Sequence, residues 1–96
     1  MKHFVYIIYS KSADRYYVGE SVNPGQRLVQ HNSRHYKHSS TKVANDWLLF
    51  LTIGCTSRAQ ALKLEKFIKS MRNRSFYHKL KGDPQFVEKL LDRFPN

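Results

Sequence analysis

Tyr6, Tyr17, Arg27 and His31 all fall in the first third of this chain, and their types could together act on a phosphate ester. Arg27 and His31 stand four residues apart, so on a helix their side chains share a face, while Leu28 points elsewhere. An arginine offers a forked, permanently charged donor set that matches phosphate oxygens, and a histidine can accept or relay a proton near neutral pH. The competing reading is a solvated helix face with two unconnected polar residues. Tyr6 and Tyr17 lie in neighbouring extended runs, and if these pair as a hairpin both phenols can face one side of a sheet. A phenol titrates at about pH 10, so one that accepts a proton at neutral pH needs a nearby cation or metal. Arg27 is the cation at hand. Otherwise these are core aromatics with satisfied hydroxyls.

Glu65 is the acid that stands out. From Arg58 to Lys81 it is the only carboxylate among eight bases. It sits at the edge of an apolar stripe, where it either pairs with Lys69 one turn on, for a few tenths of a kcal/mol, or holds a divalent metal. Magnesium accepts a single carboxylate and fills its other positions with water and substrate oxygens. His31, His35 and His38 raise a zinc reading, which a single cysteine and an irregular stretch argue against.

These side chains must be positioned by few elements. Ninety-six residues allow one compact unit, read as a single domain over 1–96 whose last helix, about 83–94, is a C-terminal extension. With 17 Lys and Arg against 7 Asp and Glu, the net charge is +10, which makes nucleic acid the leading partner class. No apolar run approaches the roughly 20 residues of a membrane span. No cleavage pattern follows the apolar start, and Cys55 has no second cysteine to pair with, so the expected compartment is the cytoplasm.

The residues from His3 to Ser10 are apolar on both alternating faces, which predicts a central strand. The run Arg15 to Ser21 reads as its hairpin partner, with Gly19 marking the strand's end. Asn23, Pro24 and Gln26 form the start of the helix that carries Arg27 and His31. Ser33 to Asn45 lacks a period and reads as an exposed loop. A third strand follows, ending near Gly54. A helix capped by Ser57 then runs to Met71, over about 22 Å. A short helix through Phe76, Tyr77 and Leu80 and a last one bearing Phe86, Val87, Leu90 and Leu91 complete the order β β α β α α α.

With these residues in that order, the chain resembles the GIY-YIG nuclease superfamily, most closely its small single-domain bacterial members, over roughly Lys2 to Leu80. Phe4-Val5-Tyr6 stands where Gly-Ile-Tyr is expected, and Tyr17-Val18-Gly19 where Tyr-Ile-Gly is expected. Arg27, His31 and the later helical Glu65 follow in sequence. The resemblance implies an α+β fold, a three-stranded antiparallel sheet flanked by helices, and hydrolysis of phosphodiester bonds in DNA with Mg2+ or Mn2+. It implies that Tyr6 and Tyr17 position or activate the attacking water, Arg27 stabilises phosphate charge, His31 assists proton transfer and Glu65 holds the metal. The family's asparagine about a dozen residues beyond that glutamate has Asn73 as its nearest counterpart, closer to Glu65 than the pattern places it.

The leading expectation is therefore a metal-dependent DNA endonuclease, structure-directed or weakly sequence-specific. The alternative is a nucleic-acid-binding module that keeps the fold without turnover. Specificity comes from this one fold or from a protein partner; the apolar side of the last helix, through Phe86, Val87, Leu90 and Leu91, either docks on such a partner or, the favoured reading, packs onto the domain.

Overall fold

In the computed structural model, which describes residues 2–33 and 40–95, the run His3–Ser10 becomes strand β1 at the centre of a sheet ordered β2-β1-β3. β2 (Arg15–Ser21) and β3 (Trp47–Cys55) both pair with it antiparallel. The central position follows from composition. Val5, Tyr6, Ile7 and Ile8 are all buried, which requires cover on both faces.

Register assigns the two faces different duties. Val5, Ile7, Val18, Ile53 and Cys55 share one face and form the larger core with Ala61, Leu64, Ile68, Leu80 and Leu90. Tyr6 and Ile8 face the other way and pack with Ala44 and Trp47, against which Tyr17 and Leu28 also lie. Three helices, α2 (Arg58–Met71), α3 (Arg74–Gly82) and α4 (Pro84–Arg93), cover the first face. The second is covered by α1 (Pro24–Asn32) and a 3-10 turn at Ser40–Val43.

The helices start where their caps predict. The Asn23 side chain accepts from the Gln26 amide at 3.1 Å, and Ser57 accepts from the Gln60 amide at 3.1 Å. The Gln60 side chain also donates to the Leu91 carbonyl at 3.1 Å, tying α2 to α4. Leu90 is buried, and the partly buried Phe86, Val87 and Leu91 pack against the larger core, so the apolar face of α4 packs onto the domain.

Two expectations change. Gly19 lies inside β2 and not at its end, because the strand continues to Ser21. The stretch read as an exposed loop has buried residues at Thr41 and Ala44, since Thr41 is held between α1 and the Trp47 indole. Among the described residues, no helix is long and apolar enough to cross a membrane.

Candidate active site

The second face of the sheet brings three of the singled-out residues into contact. Tyr6 faces Gly19 directly across the β1–β2 ladder, and Tyr17, opposite Ile8, is its diagonal neighbour on the same face. Their ring centroids are 6.5 Å apart. His31, near the end of α1, completes the group, with its ring 6.0 Å from Tyr6 and 5.0 Å from Tyr17. The Tyr6 hydroxyl lies 2.9 Å from His31 Nε2, and His31 Nδ1 lies 2.8 Å from Thr41 Oγ1. A neutral imidazole between two hydroxyls donates to one and accepts from the other.

Gly19 makes this arrangement possible. A Cβ there would fall 2.5 Å from the Tyr6 oxygen and 2.6 Å from its Cζ, so the phenol rests where any side chain would stand. The site has further supports that the sequence did not single out. Asn32 clamps the start of β3, accepting from the Trp47 amide at 2.6 Å and donating to the Trp47 carbonyl at 2.9 Å. The Trp47 indole donates to the Thr41 carbonyl at 3.0 Å, which holds the hydroxyl behind His31. Asn32 follows His31 directly, and that adjacency was the available signal.

Burial separates the two phenols. Tyr6 is 1% exposed, whereas Tyr17 is half-buried and its hydroxyl has no hydrogen-bond partner among the described residues. Burial also lowers the His31 pKa to about 4, with the nearby Arg27 charge as a second cause, so the imidazole is neutral at ordinary pH. Arg27 itself lines an open cleft of about 410 Å³ with His3, Glu20 and Arg58. In that cleft Glu20 lies 3.3 Å from His3 Nδ1 and 3.7 Å from Arg58 Nε.

Glu65 arrives from the opposite side of the sheet. It follows the buried Leu64 on α2 and pairs with Lys69 at 3.2 Å, the helical ion pair that the spacing allowed. The Lys69 ammonium in turn lies 5.6 Å from the centre of the Tyr17 ring, so side chains of α2 reach round the β2 edge of the sheet towards the phenols. Lys69 is thus the link between Glu65 and the tyrosine group. Asn73 is elsewhere. It caps α3, accepting from the Ser75 amide at 2.8 Å, in a separate cleft beside Arg72 and Arg74.

No three His, Cys, Asp or Glu side chains gather into a metal cluster among the described residues. His35 and His38 lie outside them. A lone, mostly buried carboxylate is a hard oxygen donor, which suits Mg2+ or Mn2+ completed by water and phosphate oxygens and does not suit zinc.

The family model of the GIY-YIG catalytic domain matches residues 2–80. The chain belongs to the GIY-YIG family. Nuclease activity in general, with nucleic acid as substrate, comes with that membership. The solution NMR structure of the UPF0213 protein BH0048 from Bacillus halodurans is similar in fold. It shares 26% identity, with a TM-score of 0.52 over 92% of this chain and 94% of that one. No curated protein matches the chain. In GIY-YIG terms, the tyrosine that ends the first motif and the glycine that ends the second are cross-strand partners here, and the glycine makes room for the tyrosine.

Proposed function

We propose that this GIY-YIG domain is a divalent-metal-dependent endonuclease that hydrolyses phosphodiester bonds in DNA through backbone contacts, with little sequence preference. The observation that carries the reading is the hydrogen-bonded row Tyr6, His31 and Thr41, with Tyr17 beside it and Arg27 one turn away on α1. Phosphodiester hydrolysis needs a nucleophile, neutralisation of developing charge and a held geometry.

Tyr6 is the better proton acceptor of the two phenols, because only Tyr6 has a base bonded behind it. As its oxygen takes a proton from the attacking water, its own proton passes to His31 Nε2, while Nδ1–H donates to Thr41 Oγ1. Burial keeps His31 unprotonated above about pH 4, so Nε2 is open to the proton, and makes the imidazole a weak base that holds it only in passing. The half-buried Tyr17 orients the water, and Arg27 binds the non-bridging phosphate oxygens. Glu65 would hold the metal ion, which supplies charge neutralisation at the phosphate. Lys69 must then leave the Glu65 carboxylate that it now pairs with.

Incubation with plasmid and branched DNA in Mg2+ or Mn2+ tests the reading. Tyr6→Phe and Arg27→Ala should each slow cleavage by roughly a hundredfold or more, and Glu65→Ala should abolish metal dependence along with most activity. Undiminished cutting by Glu65→Ala would refute the assignment.

The second reading, a binding module without turnover, is favoured by two observations: Lys69 already neutralises Glu65, and Asn73 is used as a helix cap. It predicts that wild type leaves every DNA uncut and that Glu65→Ala binds DNA as tightly as wild type or more tightly.

A further inference from the structure

Arg15, Arg72 and Arg74 converge on a second cleft, of about 290 Å³, at the end of the sheet where β1 turns into β2 and α2 gives way to α3. Arg74 is already engaged. It donates to the Asp14 carboxylate at 2.9 Å and the Asp14 carbonyl at 3.1 Å, and its guanidinium lies over the Tyr16 ring, 5.3 Å from the centroid. Arg15 and Arg72 have no acidic partner among the described residues. Because a guanidinium keeps its charge at any working pH, the cleft holds three positive charges against the single carboxylate of Asp14.

The backbone marks the same place independently. Asp14 (φ 50°) and Arg72 (φ 46°) are the two non-glycine residues with left-handed backbone among the described residues, and both line this cleft. Glycine is the usual occupant of such a helix end. An arginine there keeps a long charged side chain at a conformational cost, and residues held in this way cluster at functional sites.

The cleft is also in line with Tyr17. Arg15 is two residues from Tyr17 on the same strand face, roughly 7 Å along β2. Arg72 is three residues beyond Lys69, roughly 4.5 Å along α2. A nucleic-acid strand carries one charge per roughly 3.4 Å of helix axis, so both spacings are one to two nucleotide rises from the tyrosine group.

We infer that Arg15 and Arg72 grip backbone phosphates on one side of the reacting one, within roughly one to two nucleotides of it. Nucleic acid then runs from Tyr17 along the β2 edge towards the β1–β2 turn. This rests on the nuclease reading above, but it concerns grip and not chemistry.

The test is fluorescence anisotropy of a short labelled DNA duplex without divalent metal, titrated from about 50 to 200 mM salt. The double variant Arg15→Ala, Arg72→Gly suits the purpose, since glycine fits the left-handed position and Arg15 is exposed at the strand start, so folding is retained and a melting curve verifies it. The slope of log affinity against log salt should fall by about 1.8, and affinity near 0.1 M salt should drop on the order of fiftyfold. An unchanged slope in a folded double variant, with wild type still binding, overturns this inference alone. Failure of wild type to bind DNA at all overturns the nuclease reading and this inference with it.

Discussion

A methyl group at position 19 would collide with the ring that the site is built around. Gly19→Ala should therefore destabilise the domain by about 1–3 kcal/mol, as overpacking does, and should suppress cleavage more than that loss explains, because Tyr6 must leave His31. Urea unfolding and cleavage assays on the same preparation separate the two effects. His31 supplies a second prediction. Its folded pKa of about 4 lies below the ordinary 6.5, so in that interval the unfolded chain binds a proton that the folded chain does not. Stability therefore rises with pH across this window. It is complete above about pH 6.5 and is lost as pH falls towards 4, by on the order of 3 kcal/mol. His31→Gln should flatten the pH dependence of urea unfolding in that interval. The Asp14 and Asp46 carboxyls, held below their ordinary range by hydrogen bonds from Tyr9 and Arg74 and from Ser10 and Ser12, titrate at lower pH and leave the window clear.

The elements hold the site through their ends. α1 delivers His31 only because Asn32 grips the Trp47 backbone in two places, standing in for a strand partner at the start of β3. Asn32→Ala should cost about 1–3 kcal/mol and reduce cleavage, since a loosened helix end moves His31 from the Tyr6 hydroxyl. A melting curve read beside activity checks this. Asn73 does comparable work at the start of α3. Asn73→Ser should keep both stability and cleavage, because serine caps equally well, whereas Asn73→Ala should lose about 1 kcal/mol. A fall in cleavage by the serine variant without a fall in stability would assign Asn73 a duty beyond capping.

Across the whole molecule, the sheet divides the labour: one face holds the larger core, the other the tyrosine and histidine group. α4 lies outside the residues matched by the family model, yet Leu90 is 2% exposed and Gln60 bonds the Leu91 carbonyl. Leu90→Ala should therefore cost about 2–5 kcal/mol in urea unfolding, far more than a loose appendage would. Part of the chain's positive charge lies along the edge of the sheet that α2 follows, with Arg58 beside Glu20, Lys69 over Tyr17 and Arg72 in the cleft with Arg15.

Element type and order were legible in the sequence because they rest on local physics. The two-faced apolar run of β1, the Asn23 and Ser57 caps and the four-residue spacing of Arg27 and His31 each act within a turn or two of chain. The pairing of Tyr6 with Gly19, the buried Thr41 behind His31 and the clamp of Asn32 on Trp47 were not legible, since each joins residues ten or more apart. So it was with Glu65. Its spacing allowed both a lysine pair and a metal ligand, and only the packing of α2 against the β2 edge set that lysine over Tyr17. Local sequence determined which residues could do chemistry, and long-range register and packing decided which of them meet.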